Sequence, residues 1–587
     1  MLRTITLIIV GTYLLPVTVN ALQITDTGGV SGYFDTTISY GASWRAQDRD
    51  STLVGTDNGG DGNINGDDGN LNYDKGDLTA SLLKVTHELD ISSGRFGLFA
   101  RGYYFYDFEN ADRTGPAPEV AGVTGQGYEF GDDAEDRIGS GYKILDAYVR
   151  ADGSIADRKT QLRLGNQVVS WGESAFITNG INVINPVDVA RLRSPGSELK
   201  EALLPTPMLS ASQELTANIS IEGFIIGRFR EIELDPRGSF FSTTDIISDD
   251  GDTFYLSGPD QHFNPQPGVT RTITRGDDRE AGDSGEFGIA MRFLVPELAY
   301  TEFGAYYLNY HHRAPIISAR RGGVNVTGLP VPIDAPTQQP ATAGAQYFVE
   351  YPEDVHLVGL SFNTAGPWGT ALAGEYSYRN NLPMQVAVGE VFLAALGLQN
   401  SLTGGPIAAA SVPAGTEIEG YRRVKAHQAQ VAMTKAFTGL LKADQIIAVG
   451  EVGFTYLDLP DDVHLAGYGE TAPEGSFGAP AAGAGRGYAT RSSWGYQLRI
   501  SGDYNNAVGA VRLSPHIAFS HSVNGVSPTW NEDVRSLSVG LTGTLNDRWK
   551  ADLGYTAYFG GRVFNDSVNT NSLEDRDFFS ASLSYAF

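Results

Sequence analysis

Apolar and polar residues alternate with a period of two in segment after segment of this chain. In the stretch 549–559, for example, Leu553 and Phe559 lie on one face, while Lys550 and Asp552 lie on the other. This alternation is typical of a β-strand whose two faces meet different surroundings. Beyond the N-terminal segment, the sequence has no run of about 20 apolar residues, the length that a membrane-spanning helix requires. If this chain spans a membrane, it does so with strands.

The alternation predicts about 18 strands, although 16 remain possible because sequence patterns define strand boundaries poorly. The predicted strands lie at 29–46, 78–91, 95–108, 143–150, 159–168, 208–217, 219–229, 285–295, 301–312, 355–363, 368–380, 421–435, 443–458, 492–505, 511–521, 536–545, 548–559 and 577–587. We predict an all-β fold, a transmembrane antiparallel β-barrel, because strands in lipid satisfy their backbone hydrogen bonds only by closing on themselves. A soluble antiparallel sheet alternates as well, but aromatic residues near the segment ends favour the membrane barrel.

The connections between these strands alternate strictly between long and short. The first connection, 46–77, is long and the second, 92–94, is a tight turn; the last two are a turn at 546–547 and a loop at 560–576. Long extracellular loops, short periplasmic turns and an even strand count are the layout of bacterial outer-membrane barrels. The chain also ends on Phe587, and a last strand with a terminal aromatic residue resembles the signal read by the barrel-assembly machinery.

The N-terminus has the composition of an export signal. Arg3 precedes an apolar core at 5–15, and residues 19–21 offer a small-residue cleavage site. We predict a signal peptide at 1–21 and a single barrel domain at 22–587, since no linker divides the remainder. The absence of cysteine from the whole sequence is compatible with an oxidising periplasm. These features predict the outer membrane of a Gram-negative bacterium.

Charge and motifs argue against two classes of function. The formal net charge is −27, from 69 acidic and 42 basic residues, whereas a nucleic-acid partner requires clustered cations. The acids concentrate at 48–77, 132–136 and 245–252, where we expect solvated loops. We predict that the chain is not an enzyme, because it has no G-x-S-x-G or H-E-x-x-H motif and its nine histidines are dispersed. A catalytic triad is spatial rather than sequential, so motifs alone leave that alternative open.

One long connection, at 169–207, is not acidic and carries most of the candidate functional residues. It is predicted to be partly helical at 189–204, with Arg191 and Arg193 facing the charged residues 198–201. An apolar loop of this length would be poorly placed outside the cell, so we favour a loop folded into the lumen, where it constricts the channel; packing over the barrel mouth is the alternative. The candidate constriction and substrate-binding residues are Trp171, Glu173, Phe176, Ile177, Asn182, Ile184, Asn185, Asp188, Arg191 and Arg193.

The acidic segment 57–77 partly matches a calcium-binding loop, and no other cofactor is predicted. Such a loop requires oxygen ligands at alternating positions and a glycine at its turn. Asp61, Asn63 and Asn65 supply the first half, but Asn72 stands where a bidentate glutamate is expected. Ordinary loop composition explains the same pattern. The tentative calcium ligands are Asp61, Asn63, Asn65 and Asp67.

Basic residues share the polar faces of several predicted strands. Inside a pore they could select anions or carboxylated substrates; alternatively, they pair with acids on neighbouring strands. The candidate lumen charges are Arg95, Arg101, Arg163, Arg499, Arg512, Arg548 and Lys550.

The sequence resembles the DUF1302 family of proteobacterial proteins. WGES at 171–174, followed by GINVINPVD at 180–188, resembles the core motif of that family, and DDGNLNYDKGDL at 67–78 and FGLFARGYYFYD at 96–107 fit it as well. The resemblance covers essentially the whole mature chain. It implies an outer-membrane barrel involved in traffic of hydrophobic or lipid-like molecules, whose gene accompanies those of a DUF1329 periplasmic protein and an RND-type exporter. It implies no catalytic residues.

The likeness to FadL-type hydrophobic-uptake barrels is one of architecture only. Those barrels carry an N-terminal hatch, whereas cleavage after Ala21 would leave few residues before the first strand here. A plug would therefore have to come from an internal segment, for which 171–207 is the candidate.

The predicted function is an outer-membrane channel or transporter for hydrophobic or amphipathic, lipid-like small molecules, which would bind the apolar internal loop. One alternative is a general diffusion porin for hydrophilic or anionic solutes. The other is an outer-membrane partner of an RND-type lipid exporter, or a surface-binding protein. The predicted partners are outer-membrane lipid and lipopolysaccharide, the barrel-assembly machinery, a DUF1329 periplasmic protein and an RND-type exporter, with no nucleic acid.

Overall fold

The computed structural model describes most of the chain. The described residues are 22–24, 29–111, 113, 130–257, 271–323, 344–404, 406–468, 487–564 and 568–587. The predicted signal peptide at 1–21 lies outside them.

Eighteen antiparallel strands close into one barrel, which confirms the predicted fold class. They are β1 (Val30–Arg45), β2 (Leu78–Ser93), β3 (Phe96–Asp107), β4 (Ser140–Ile155), β5 (Arg158–Gln167), β6 (Thr206–Glu214), β7 (Ile219–Ile226), β8 (Phe287–Val295), β9 (Thr301–Tyr310), β10 (Val355–Ala365), β11 (Thr370–Gln385), β12 (Tyr421–Thr438), β13 (Gln445–Asp458), β14 (Ser492–Val508), β15 (Val511–Asn524), β16 (Val534–Leu545), β17 (Trp549–Gly560) and β18 (Phe578–Ala586). Each strand pairs with its neighbours in the chain, and β18 closes against β1 with Ala586 opposite Thr37. The short strand Leu22–Ile24 pairs with the beginning of β1.

The apolar and polar residues that alternate in the sequence form the outer and inner faces of the barrel wall. Large apolar side chains point outward: Tyr40 is 46% exposed, Leu83 38% and Leu553 60%. The residues between them point inward, where Ser39 and Lys84 are buried. Because a continuous outward apolar band requires a lipid surrounding, the chain is a transmembrane barrel. In the part of the chain that the structure describes, no helix combines the length and the apolar character needed to cross a membrane.

The short connections are tight turns whose backbone suits antiparallel strands. Ala156 and Asp157 join β4 to β5, and Asn546 and Asp547 begin the connection from β16 to β17; all four have a positive φ, between 50° and 59°. Two consecutive residues with positive φ give the turn a twist that matches the twist of the flanking strands. The long loops all emerge at the opposite end of the barrel.

Long loops build a small five-stranded sheet at that end, which the sequence pattern did not predict. Its strands are Thr253–Ser257, Arg271–Arg275, Ile316–Arg320, Gln346–Glu350 and Glu417–Ile418. The helix Val388–Leu396 packs on this sheet through Phe392, which is buried in one cluster with Ile273 and Tyr347. The loops over this part of the mouth therefore have a hydrophobic core of their own.

Other elements in the loops are short. The α-helices are Asp68–Leu71, Asp132–Ala134, Val189–Arg193, Leu199–Ala202 and Pro406–Ser411, the 3-10 helices are Ser51–Leu53, Thr56–Asn58, Pro367–Gly369 and Leu440–Lys442, the π-helix is Glu135–Gly139, and Val563–Phe564 pairs with Val568–Asn569.

Several acids of the long loops are buried in ion pairs, and for Asp68, in the acidic segment 48–77, the expectation of a solvated loop is wrong. Asp68 contacts Arg237 at 2.5 Å, and the two side chains are 0% and 1% exposed. Asp575 contacts Arg45 at 3.0 Å, and both are fully buried. A buried charge is costly unless it is paired, and each of these pairs joins segments that lie far apart in the chain. Composition alone could not indicate this, because the partner arginines come from other segments.

Candidate functional site

The connection between β5 and β6, residues 168–205, turns into the barrel and crosses its interior. Gln167 and Thr206 pair directly at its base, so the segment leaves and rejoins the wall at one place. Its first half contacts β7, β11 and β13. Its second half contacts β1, β2 and β18. We name this segment the internal loop.

Glu451 on β13 holds the first half of the internal loop. Its carboxylate, in a residue that is 2% exposed, accepts the backbone N–H groups of Ala175, Phe176 and Ile177 at 3.1, 2.6 and 2.8 Å. It also accepts the hydroxyl of Ser174 at 3.2 Å. Hydrogen bonds to an ionised acceptor are about twice as strong as neutral ones. One wall side chain therefore satisfies three consecutive backbone donors that have no strand partner.

Glu375 on β11 binds the internal loop on both sides of that stretch. Its carboxylate accepts the N–H groups of Glu173 at 2.6 Å and Ile181 at 2.9 Å, and the side-chain amide of Gln430 at 2.9 Å. A Cβ at Gly180 would lie 1.9 Å from the same carboxylate. This close approach explains why the GINVINPVD motif begins with a glycine.

The apolar side chains of the internal loop pack against the wall. The ring of Trp171, 2% exposed, lies 4.9 Å from that of Phe224, and its Nε1 donates to Glu222 at 2.9 Å. Ile181 and Ile184 are 0% and 1% exposed and join the same cluster. Trp171 and Ile184 were predicted to bind substrate, and in the structure they form, together with Ile181, a core between loop and wall.

The remaining candidates of the first half differ in exposure. Ile177 is buried, Phe176 is half-buried and Asn182 is exposed. Asn185 closes the base of the loop by donating to the carbonyl of Leu204 at 3.0 Å.

Glu173 lies against β10. Its side chain accepts the amide of Asn363 on β10 at 2.9 Å. Burial raises the pKa of the Glu173 carboxyl, and the hydrogen bond from Asn363 opposes this only in part.

Asp188 begins the helical half of the internal loop. It accepts the N–H of Arg191 at 2.8 Å, as the N-cap of the first short helix, and binds Lys143 of β4 at 2.7 Å. Lys143 also binds Glu233. Burial alone would raise the pKa of Glu233, but Lys143 and Arg230 outweigh it and lower that pKa to about 2.

Arg191 and Arg193 do not face residues 198–201, so that detail of the sequence analysis is wrong. The guanidinium of Arg191 lies 4.3 Å from the ring centre of Phe105. Arg193 binds Asp235 at 2.6 Å. The predicted helix is interrupted after residue 193, so its two parts do not share one helical face.

Charged residues of β2 hold the second half, a role that no feature of the sequence predicted. Lys84 forms a buried ion pair with Glu201, and Glu88 binds Lys200. Together with Glu375 and Glu451, these contacts attach the internal loop to opposite sides of the wall.

Two of the predicted lumen cations are engaged by neighbours on the wall. Arg101 binds Asp146 at 3.0 Å. Arg163 donates to the side-chain oxygen of Gln161 at 2.8 Å, and its guanidinium lies 5.4 Å from the ring centre of Tyr148. Arg101 therefore follows the alternative of pairing with an acid on a neighbouring strand, whereas Arg163 donates to a residue of its own strand.

The other five lie at the turn end or in a cavity. Arg95, Arg512 and Arg548 lie in or beside the short turns, and Arg512 is 3.6 Å from Asp547 in its neighbouring turn. Arg499 and Lys550 line a cavity in the lumen.

Two cavities flank the internal loop. One, of about 260 Å³, lies between residues 196–201 and the inward faces of β14 to β18, β1 and β2. The other, of about 180 Å³, lies between residues 168–171 and the inward faces of β5 to β7. Hydroxyl, amide and charged groups provide much of both linings.

The predicted calcium ligands do not share one centre. Asp61 accepts the hydroxyl of Ser51 at 2.7 Å, Asn63 accepts the N–H of Asn65 at 3.0 Å, and Asn65 accepts the N–H of Tyr255 at 2.6 Å. Each oxygen thus serves the local fold of the loop.

The remaining tentative ligand, Asp67, lies with two other acids. The carboxylates of Asp67, Asp68 and Asp245 are buried and within 4.8 Å of one another. Arg237 binds Asp68, which offsets part of their charge. Calcium binding in this region stays a prediction.

Comparison with known proteins gives a family and distant structural likenesses. The family model DUF1302, a protein of unknown function, matches residues 2–587. No curated protein matches the chain. Similar solved structures include OccAB2 of Acinetobacter baumannii (8% identity, TM-score 0.40, covering 95% of this chain and 98% of that one), OpdK of Pseudomonas aeruginosa with vanillate (9%, 0.40, 94% and 98%) and OccD3 of Pseudomonas aeruginosa (10%, 0.38, 97% and 93%). These values are too low to transfer a substrate or a residue role.

Proposed function

This chain belongs to the DUF1302 family, and we propose that it is an outer-membrane channel for small hydrophilic solutes, narrowed by its internal loop. A barrel of about 18 strands is wide enough to leave an aqueous channel unless something fills it. The internal loop is the segment that fills it in part.

The observation that carries the proposal is the attachment of the internal loop across the lumen. Glu451 and Glu375 bind its backbone on one side, and Lys84 binds Glu201 on the other. A segment attached at both sides constricts a channel without sealing it, and the cavities beside it have largely polar linings. Polar solutes can exchange their hydration for such groups.

The same geometry favours hydrophilic solutes over lipid-like ones. A hydrophobic substrate requires an apolar surface that faces the path. Trp171, Ile181 and Ile184 are at most 2% exposed, so their surface is already used for packing against the wall. Transport of hydrophobic or amphipathic molecules remains the alternative, and it requires the loop to undock first.

The decisive experiment is deletion of residues 174–205 with conductance measured in planar lipid bilayers. Gln167 and Thr206 pair on adjacent strands, so the short segment left between them can close the gap without straining the wall. We expect a larger single-channel conductance than that of the intact protein. An unchanged conductance would contradict the constriction, and mass spectrometry of lipids retained by the intact barrel would support the hydrophobic alternative if it detected them.

The predicted partners remain proposals. A DUF1329 periplasmic protein or an RND-type exporter would dock at the short-turn end, and co-purification of either with the intact barrel would support this. Lipopolysaccharide and the barrel-assembly machinery would interact with the outward face and with the last strand.

A further inference from the structure

The larger lumen cavity has a lining suited to a charged solute. It lies between residues 196–201 of the internal loop and seven adjacent strands, β14 to β18, β1 and β2. The wall contributes several hydroxyls, including Ser39, Ser584 and Thr542. Ser584 is the register partner of both Ser39 on β1 and Lys550 on β17, so a lysine and two hydroxyls form one row across three strands.

The acids of this cavity already have partners. Glu201 forms its ion pair with Lys84, and Glu198 lies 3.2 Å from Lys200. Asp552 accepts the hydroxyl of Thr542 at 2.6 Å.

Two cations of the cavity differ from the rest. Arg499 and Lys550 are exposed to the lumen, and no carboxylate of the described residues forms an ion pair with either of them. The chain has 69 acidic residues against 42 basic ones, so a shortage of acids does not explain this. Arg163 of the smaller cavity, by contrast, is engaged by Gln161 and Tyr148.

We propose that Arg499 and Lys550 of this cavity bind small oxyanions, that is carboxylates or phosphates, while these solutes cross the barrel. A guanidinium binds such groups with two parallel hydrogen bonds, and a lysine adds a mobile positive charge. Serine and threonine hydroxyls can donate to the same oxygens. Cations without an ion-pair partner in a cleft with low-dielectric walls also raise the local concentration of anions. The inference rests on the proposed channel function and names the class of solute that the channel would prefer.

The test compares the intact protein with Arg499→Gln/Lys550→Gln in planar bilayers. The reversal potential under a potassium chloride gradient gives the anion preference, and succinate and inorganic phosphate are the probes for block of the chloride current. In the double variant we expect a shift of preference toward cations and a block weakened by about tenfold, the order expected when two charge contacts are lost. Arg512→Gln, at the turn end, is the control for loss of one cation outside the cavity, and the single variants Arg499→Gln and Lys550→Gln match its change of charge. Arg499→Lys/Lys550→Arg should restore the preference if charge at these two positions is responsible.

The outcomes separate the two proposals. If the intact protein does not conduct, the channel function fails. If it conducts, but the double variant has the same preference and the same block as Arg512→Gln, the channel stands and the oxyanion site is wrong. Block of the intact protein by succinate or by phosphate supports the site and identifies which oxyanion it accepts, and block by neither overturns it.

Discussion

Replacing Glu451 with glutamine should loosen the internal loop without changing the size of the side chain. Glutamine retains one carbonyl oxygen, but its amide group would face N–H donors that the carboxylate now accepts. Each hydrogen bond to a charged group contributes roughly 1.5–3 kcal/mol, and Glu451 accepts three from the backbone. The gross contribution is therefore about 5–9 kcal/mol.

The net effect is smaller, because burial of the carboxylate costs several kcal/mol and water can enter the lumen to bind the released donors. We expect Glu451→Gln to make the free energy of loop docking less favourable by about 3 kcal/mol. This corresponds to an increase of about two orders of magnitude in the undocked population. Adding Glu375→Gln should increase it further, since Glu375 binds the neighbouring part of the loop.

Single-channel recordings in planar bilayers measure this population directly, as brief openings to a larger conductance. Limited proteolysis of residues 172–181 from the lumen side gives a second readout. Asp503→Asn is a matched control, because Asp503 lies on β14 and binds Ser514 rather than the loop. If the double variant shows the same conductance, the same noise and the same protease resistance as the control, the two carboxylates do not hold the loop.

Three further predictions concern the same segment. Gly180→Ala should increase the conductance as Glu375→Gln does, because its added Cβ would lie 1.9 Å from the Glu375 carboxylate. Gly389→Ala is the control, because no atom lies within 4 Å of its added Cβ, and its conductance should be unchanged. Trp171→Ala should cost roughly 3–5 kcal/mol of loop docking by removing a buried ring, seen as a larger open fraction, and an open fraction equal to that of the parent would refute it. The pKa of Glu233 is lowered from 4.5 to about 2, so its stabilising effect is complete above about pH 4.5 and is lost as the pH falls toward 2. The hydrogen-exchange protection of residues 187–193, taken relative to the intrinsic exchange rate at each pH, should fall over that range, and Glu233→Gln should remove this pH dependence.

The wall could be predicted because its signal is local. The alternation of apolar and polar residues within about ten residues identifies the two faces of each strand. Each turn type follows from the residues at its centre, such as Asn546 and Asp547. All 18 predicted strands correspond to strands of the barrel. Errors at their ends were of a few residues and changed no connection.

The site could be predicted only in part, because its contacts are not local. The composition of 169–207 indicated that this loop differs from the others, and it does cross the lumen. Its anchors, Glu375 and Glu451, are single acids on inward strand faces, and such acids have the same pattern as residues that merely face water. A signal was present beside one of them: Gly453 lies two residues after Glu451 on the same inward face, and a Cβ there would lie 2.9 Å from Ile177 of the internal loop.

The sheet over the barrel mouth had no comparable signal. Its strands are short, and partners such as Arg320 and Glu417 are separated by nearly a hundred residues. Such pairing depends on where the barrel strands place the loop ends, which is known only once the wall is complete.

The attachment of the internal loop also has a consequence for the order of assembly. Glu375 and Glu451 follow their loop partners in the chain by 202 and 275 residues. The loop therefore cannot dock until the C-terminal half of the wall has been inserted, and contacts of such long separation form late. An intermediate that has only the N-terminal strands would carry this segment undocked and accessible to protease. Protection of residues 172–181 would then report that assembly has reached β13.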